Sequence, residues 1–248
     1  MKFAAAPATA AAFVLVALAP QADHLAQSQD TGPTPDAGSA PAEEAVARIR
    51  ARGAPVAILE NRTWLRAAPD GKRIARLKRR TEWRAPRALA VVGARGAWLR
   101  VIATELPNGK RGWIPLRAAD LIANPWEVRA DLSSRVVKVY KDDRLVRRFP
   151  VAIGASGTST PTGRFAVTDK LVYKFGSAAY GCCALALSGH QPNIDQGWRG
   201  GDRLAIHGTR LLHTIGTASS FGCLRARDDD VRWIVRRVFL GTVVEIRR

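Results

Sequence analysis

Hydrophobic residues along the chain fall into short runs divided by turn formers. From Ala54 to about Asn124 the runs are brief: Ala57–Leu59, Trp64–Leu65, Ile74–Leu77, Ala88–Val92, Trp98–Val101 and Trp113–Ile114. Asp70-Gly71, Gly93, Gly96 and Pro107-Asn108-Gly109 separate them. Gly and Asn tolerate the backbone angles of tight turns, so the runs are predicted strands and the spacers predicted turns. Several short strands at close spacing predict a small barrel. Trp98 and Trp113 are expected as plugs of its core, not as ligand-stacking rings.

From Pro125 the runs lengthen. Val136–Tyr140, a turn at Asp142-Asp143 and a return over Leu145–Val151 predict a hairpin that ends at Gly154. Thr158–Gly163 is a turn-rich loop before Phe165–Val167. Tyr173–Gly201, rich in Gly, Ser and Tyr, reads as a long substrate-covering loop. Near the end, Val231, Ile234, Val235 and Val238 recur at helical spacing behind Asp228–Asp230. Acidic residues suit a helix N-terminus, so a C-terminal helix is predicted, stopped by Gly241 before a last strand at Val243–Ile246. Strands and helices do not alternate, which excludes a parallel doubly wound sheet. The expected class is mostly β, a β-rich α+β chain.

At the N-terminus, Lys2 precedes an apolar small-residue segment whose core is Ala10–Ala19. Ten residues are too few to span a bilayer comfortably but suit the apolar part of a secretory signal. Residues 1–22 are therefore expected to be a signal peptide, cut after Ala19 or Ala22; an uncleaved anchor is the alternative and the one route to a membrane. Residues 23–53 are polar and Pro/Gly-rich and read as a disordered linker, with Glu43–Arg52 a short helix of little consequence. A barrel over 54–124 and a second domain over 125–248 complete the expected organisation.

Composition narrows the partner. The 248 residues hold 39 Lys+Arg against 21 Asp+Glu, a net charge of +18. At 47% hydrophobic the chain builds real cores. Three Cys are too few for a disulfide scaffold. The charge is spread: residues 54–125 carry 15 basic and 5 acidic side chains, and residues 126–248 carry 20 and 11. Such a surplus calls for an anionic partner. The basic residues show neither an interleaved aromatic platform nor a nucleic-acid motif, and the leader argues for export. Anionic cell-wall polymers are thus expected and nucleic acid is not.

The reactive side chains cluster late. His207 ends the apolar run Leu204–Ile206, and Cys223 follows Ser219-Ser220-Phe221-Gly222. A thiol with an imidazole nearby is the minimal set for nucleophilic catalysis, since the imidazole takes the thiol proton and the thiolate attacks a carbonyl. Gly222 permits close approach of a substrate, and successive N–H groups on such a turn can hold an oxyanion. Read alone, the pair is weak evidence, and a structural histidine or an inert buried cysteine is the better reading. Cys182 and Cys183 are expected as buried thiols rather than a vicinal disulfide. No CxxC or close His pair supports zinc.

The flanks carry a resemblance. Ile206-His207-Gly208-Thr209, then Ile215-Gly216, then Ser220-Phe221-Gly222-Cys223-Leu224-Arg225 closely resembles the active-site segment of L,D-transpeptidases, exported bacterial enzymes that cross-link peptidoglycan. Thr160-Pro161-Thr162-Gly163 with Phe165, the Val137–Val151 hairpin and the closing strand agree, so the resemblance covers 126–248. Upstream, Gly96–Val101 followed by Gly112–Pro115 is similar to the closing strands of bacterial Src-homology-three-like domains, which often bind cell-wall peptides.

The resemblance implies a β-sandwich catalytic domain and a thioacyl-enzyme. Cys223 would attack the carbonyl between the third residue and the terminal D-alanine of a tetrapeptide stem, with His207 as general base. The N–H groups of Gly222 and Cys223 would hold the oxyanion, and Arg225, Ser220, Gly208 and Tyr180 would contact the stem peptide, with shaping of the turn the alternative role for Ser220. A neighbouring stem amine would resolve the thioester into a 3-3 cross-link; water would make the protein an L,D-carboxypeptidase instead. Carbapenems would acylate Cys223, and no metal or organic cofactor is needed. Phe221 departs from the family, which usually has His there. Phe cannot relay a proton. His207 is therefore expected to draw its tautomer from a backbone carbonyl, that of Gly208, with His213 a less direct substitute. A non-catalytic wall-binding protein is the reading that Phe221 keeps open.

Overall fold

A computed structural model describes residues 41–194 and 201–248. The expected signal peptide, and the expected linker up to residue 40, lie outside the described residues. The chain opens with helix α1 (Pro41–Arg50). Pro at its start, Glu43 and Glu44 in the first turn and Arg48 and Arg50 in the last all favour a helix there. Ala42 and Val46, four residues apart, are buried in one core cluster with Ala57, Leu89 and Leu99. The helix is thus part of a core, which corrects its expected place in a disordered linker.

Seven strands follow: β1 (Ala54–Leu59), β2 (Thr63–Arg66), β3 (Arg73–Leu77), β4 (Ala88–Arg95), β5 (Trp98–Val101), β6 (Gly112–Pro115) and β7 (Ala119–Asn124). They form one sheet in the order β3-β2-β6-β5-β4-β1-β7. Leu65, Leu77, Leu99 and Ile114 fill its core. Trp98 and Trp113 do not; both are half-buried on the outer face, each under an arginine. The alternation explains it, because Leu99 and Ile114 beside them already point inward. An interleaving of cations and rings therefore exists where the sequence pattern showed none.

The second sheet begins one residue later. Its strands are β8 (Trp126–Asp131), β9 (Val136–Lys141) and β10 (Arg144–Pro150), the short β11 (Ile153–Gly154), the long β12 (Gly163–Ser177), β13 (Gly181–His190), β14 (Arg203–Gly208), β15 (Ala218–Ser220) and β16 (Leu224–Ala226). Helix α2 (Asp228–Arg237) and β17 (Val243–Arg247) close the chain. The main order is β10-β9-β8-β17-β12-β13-β14-β16, with β11 and β15 paired apart. The β9–β10 turn places Asp142 and Asp143 at positive φ, as a tight hairpin turn needs. β12 bridges the halves: Gly163–Ala166 pairs with β17 and the later residues with β13. Val137, Phe149 and Phe165 from one half share a single core with Leu187, Ile206, Leu224 and the Val231/Ile234 face of α2. The molecule is mostly β with one C-terminal helix, as the pattern predicted.

Two expectations fail here. Most of Tyr173–Gly201 is not loop; β12 runs to Ser177 and β13 returns from Gly181. Gly181–Gly189 is buried along its whole length, so it shows no polar alternation and its small residues read as loop. Within β13, Cys182 and Cys183 are joined in a vicinal disulfide, not left as thiols. Burial did not decide between the two states; adjacency set two sulfurs side by side.

The two sheets also meet. Ala90 and Ile102 pack on Ala166 and Val243. Thr81 donates to Asp169, Glu82 pairs with Arg203, and Trp83 lies 5.2 Å from the Arg203 guanidinium. Asn108 makes two bonds to the His190 backbone, donating to its carbonyl at 2.6 Å and accepting from its N–H at 2.9 Å.

Candidate active site

β14 and β16 run parallel, pairing Ile206 with Leu224 and His207 with Arg225. This register sets His207 near the end of one strand and Cys223 just before the start of its neighbour. The two residues line one cleft of about 240 Å³, together with Tyr180, Gln191, Phe221 and Arg225. A larger recess of about 790 Å³ lies near Arg50, Trp126 and Tyr140, but it holds neither cysteine nor histidine.

His207 is buried. Its Nδ1 lies 2.7 Å from the Gly208 carbonyl, so Nδ1 carries the proton that is donated there and Nε2 is left with its lone pair. This is the backbone partner expected in place of the family's second histidine. Burial holds the imidazole down to about 4, opposed by the Gly208 carbonyl. Burial pushes the Cys223 thiol up to about 11, opposed by the Ala205 backbone and the Arg225 charge. Both shifts favour the neutral forms, thiol and imidazole, at rest. The thiol lies 3.8 Å from the Arg203 carbonyl. Tyr180 packs edge-on against His207, ring centroids 5.0 Å apart, and stacks on Tyr173.

The nucleophile turn is braced from within. Ser220 Oγ donates to the Cys223 carbonyl at 2.6 Å and accepts from the Gly222 N–H at 3.1 Å. These two bonds give Ser220 a part in shaping the turn and leave its hydroxyl one acceptor lone pair. The same bond engages the Gly222 N–H, one of the two expected oxyanion donors, in the resting state. Arg225 lines the cleft; one of its terminal nitrogens holds Ser219, while its buried Nε has no hydrogen-bond partner among the described residues. Gly208 serves through its carbonyl. It also leaves room: a Cβ at Gly208 or Gly181 would come within 2.1 or 2.2 Å of Asp228 Oδ1, at the start of α2. His213 is exposed on the Leu212–Thr214 turn and does not line the cleft. Phe221 is 61% exposed at the rim.

Sequence reasoning missed Gln191. Its buried Nε2 donates to the carbonyls of Thr158 at 3.0 Å, Ser159 at 3.1 Å and Phe221 at 3.3 Å. It thus ties the Thr158–Ser159 loop to the nucleophile turn. Gly222, at φ +110°, abuts it; a Cβ there would stand 2.2 Å from Nε2. No pattern marks one glutamine for this, because its partners are backbone groups distant in sequence.

Residues 125–246 match the family model described as the L,D-transpeptidase catalytic domain, YkuD. The Bacillus licheniformis protein YkuD, named provisionally as an L,D-transpeptidase, is 32% identical over 122 residues, 49% of this chain and 66% of that protein. The Bacillus subtilis YkuD, named in the same way, is 27% identical over 124 residues, 50% of this chain and 67% of that protein. The chain therefore spans about two thirds of the length of these relatives. Among solved structures, an L,D-transpeptidase from Mycobacterium tuberculosis is 17% identical with a TM-score of 0.41, covering 58% of this chain and 67% of that one. One from Mycobacterium smegmatis is 16% identical with a TM-score of 0.41, covering 66% and 100%. The His207–Cys223 cleft lies inside the span, residues 125–246, that matches the L,D-transpeptidase catalytic domain model.

Proposed function

We propose that this protein is an exported L,D-transpeptidase that forms 3-3 cross-links between peptidoglycan stem peptides through a Cys223 thioacyl-enzyme. The observation that carries the reading is the orientation of His207: its Nδ1 is held by the Gly208 carbonyl in the cleft that Cys223 lines. His207 Nε2 accepts the Cys223 proton as Sγ bonds to the stem carbonyl carbon. The Cys223 N–H, joined by that of Gly222 once Ser220 releases it, receives the developing oxyanion. The C–N bond to D-alanine then breaks, and His207 returns the proton to the departing amine. A stem amine from a second strand attacks the thioester, forms the new amide and restores the thiol. Arg225, with its unmet buried Nε, suits a stem carboxylate, and Tyr180 lines the wall beside His207.

Intact-mass measurement tests the reading. Incubation with a carbapenem should add one mass equivalent to the wild type and none to a folded Cys223→Ala variant. Full-stoichiometry adduct on the variant would overturn it. Tetrapeptide muropeptides should give dimers; trimmed tripeptides alone would assign hydrolysis instead. A thiol that no carbapenem or stem acylates would favour a wall-binding role without catalysis.

A further inference from the structure

The outer face of the N-terminal sheet has no part in the proposed chemistry. Along β2, β5 and β6, Leu65, Leu99 and Ile114 enter the core, so Trp64, Arg66, Trp98, Arg100 and Trp113 stand on the other side. Register lines them up. Arg73 pairs with Arg66, Arg66 with Trp113, and Trp113 with Arg100. Arg95 pairs with Trp98 and Arg76 with Trp64.

Guanidinium groups lie on the indoles: Arg73 over Trp64 at 5.1 Å, Arg66 over Trp98 at 5.5 Å, and Arg95 over Trp113 at 5.8 Å. Arg66 and Arg95 each reach across one intervening strand to do so. Arg100 lies over Gly93, where no side chain obstructs it. Among the described residues none of Arg66, Arg73, Arg76, Arg95 and Arg100 has an ion pair, whereas Arg79 and Arg87, in the connection between β3 and β4, have Glu60 and Glu105. The unneutralised field extends to Arg111, whose guanidinium is held down by burial and then by the charges of Arg164 and Arg100.

A guanidinium stacked on a ring is pinned flat, and its in-plane N–H edges can grip two oxygens of one anion; Arg66 already donates one N–H to the Gly71 carbonyl at 2.7 Å and keeps its others for a ligand. Neighbouring strands stand about 4.8 Å apart, so an extended chain crossing them meets several cations in turn. The indole faces are occupied by arginine, which leaves nucleic-acid bases no platform to stack on. Trp98 and Trp113 are half-buried, and the more exposed Trp64 has its ring face covered by Arg73, so the face offers no row of protruding rings to wedge into a bilayer. A phosphodiester polymer carries one charge per repeat in its backbone and sets each against the sheet.

We infer that the Arg–Trp face of the N-terminal sheet is a docking site for a linear phosphodiester glycopolymer of the cell envelope, a choice of polymer that rests on the exported reading above. The test titrates the full chain with poly(glycerol phosphate) and follows tryptophan fluorescence. Five contacts predict a slope of log affinity against log salt of roughly −3 to −4. The triple variant Arg66→Gln, Arg73→Gln, Arg100→Gln should bind at least about tenfold more weakly. Arg144→Gln, Arg148→Gln, Arg236→Gln removes the same charge from the second domain and should bind within about twofold of wild type. Equal loss in both triples overturns the site. Equally tight binding of a polyuronate, single-stranded DNA or phosphatidylglycerol vesicles at the same salt overturns the choice of ligand. Carbapenem acylation is read on the same sample. Acylation without polymer binding fails the docking site alone; binding without acylation leaves it standing and fails the catalytic reading.

Discussion

At the residue scale, burial in the cleft favours a neutral thiol and a neutral imidazole. Reactivity should therefore depend on proton transfer during attack. The rate of Cys223 alkylation by iodoacetamide should rise about tenfold per pH unit from pH 7 to 10, because the thiolate fraction does so below a thiol at about 11. A plateau beginning near pH 6 would reveal a preformed thiolate–imidazolium pair. His207 and Cys223 were legible in the sequence because their neighbours form a recognisable string. The tautomer partner followed from the absence of a second histidine. Gln191 was not legible: it acts on backbone groups, and which backbone groups meet it is decided by folding.

At the element scale, β13 joins the N-terminal sheet to the site. Asn108 holds the His190 backbone, and the next residue, Gln191, holds the nucleophile turn. Asn108→Ala removes two hydrogen bonds at the strand end, a loss of about 1–3 kcal/mol. Melting temperature should fall by roughly 5 °C. The acylation rate of Cys223, measured well below that melt, should fall as well. An unchanged rate beside a lowered melt would show that β13 transmits nothing to the turn. Most elements were readable from alternation or helical spacing, including the Asp142-Asp143 hairpin and α2. One was misread and one underrated. β13 is buried almost throughout and lost its alternation; α1 was expected as a short helix of little consequence, yet it contributes Ala42 and Val46 to a core.

At the scale of the whole molecule, stability and charge respond to the surroundings. An imidazole at about 4 in the fold and near 6.5 when unfolded means that the unfolded chain binds more protons between those values. His207 thus contributes stability that is fully present above pH 6.5 and is lost as pH falls toward 4, roughly 3 kcal/mol in all. Urea midpoints of the wild type should fall more steeply than those of His207→Gln over that window; parallel profiles would sink the idea. By itself the sequence determined the β-rich class, the late helix, the +18 charge and the Cys–His string, since these rest on local periodicity, composition and contiguous residues. Only the tertiary structure decided the Gln191 clamp, the vicinal disulfide and the contacts between the two sheets. It alone set the tryptophans outward under arginines. Apart from the disulfide, whose cysteines are adjacent, each of these depends on which residues distant in sequence share a strand register or a buried face, and that is fixed by packing rather than by spacing along the chain.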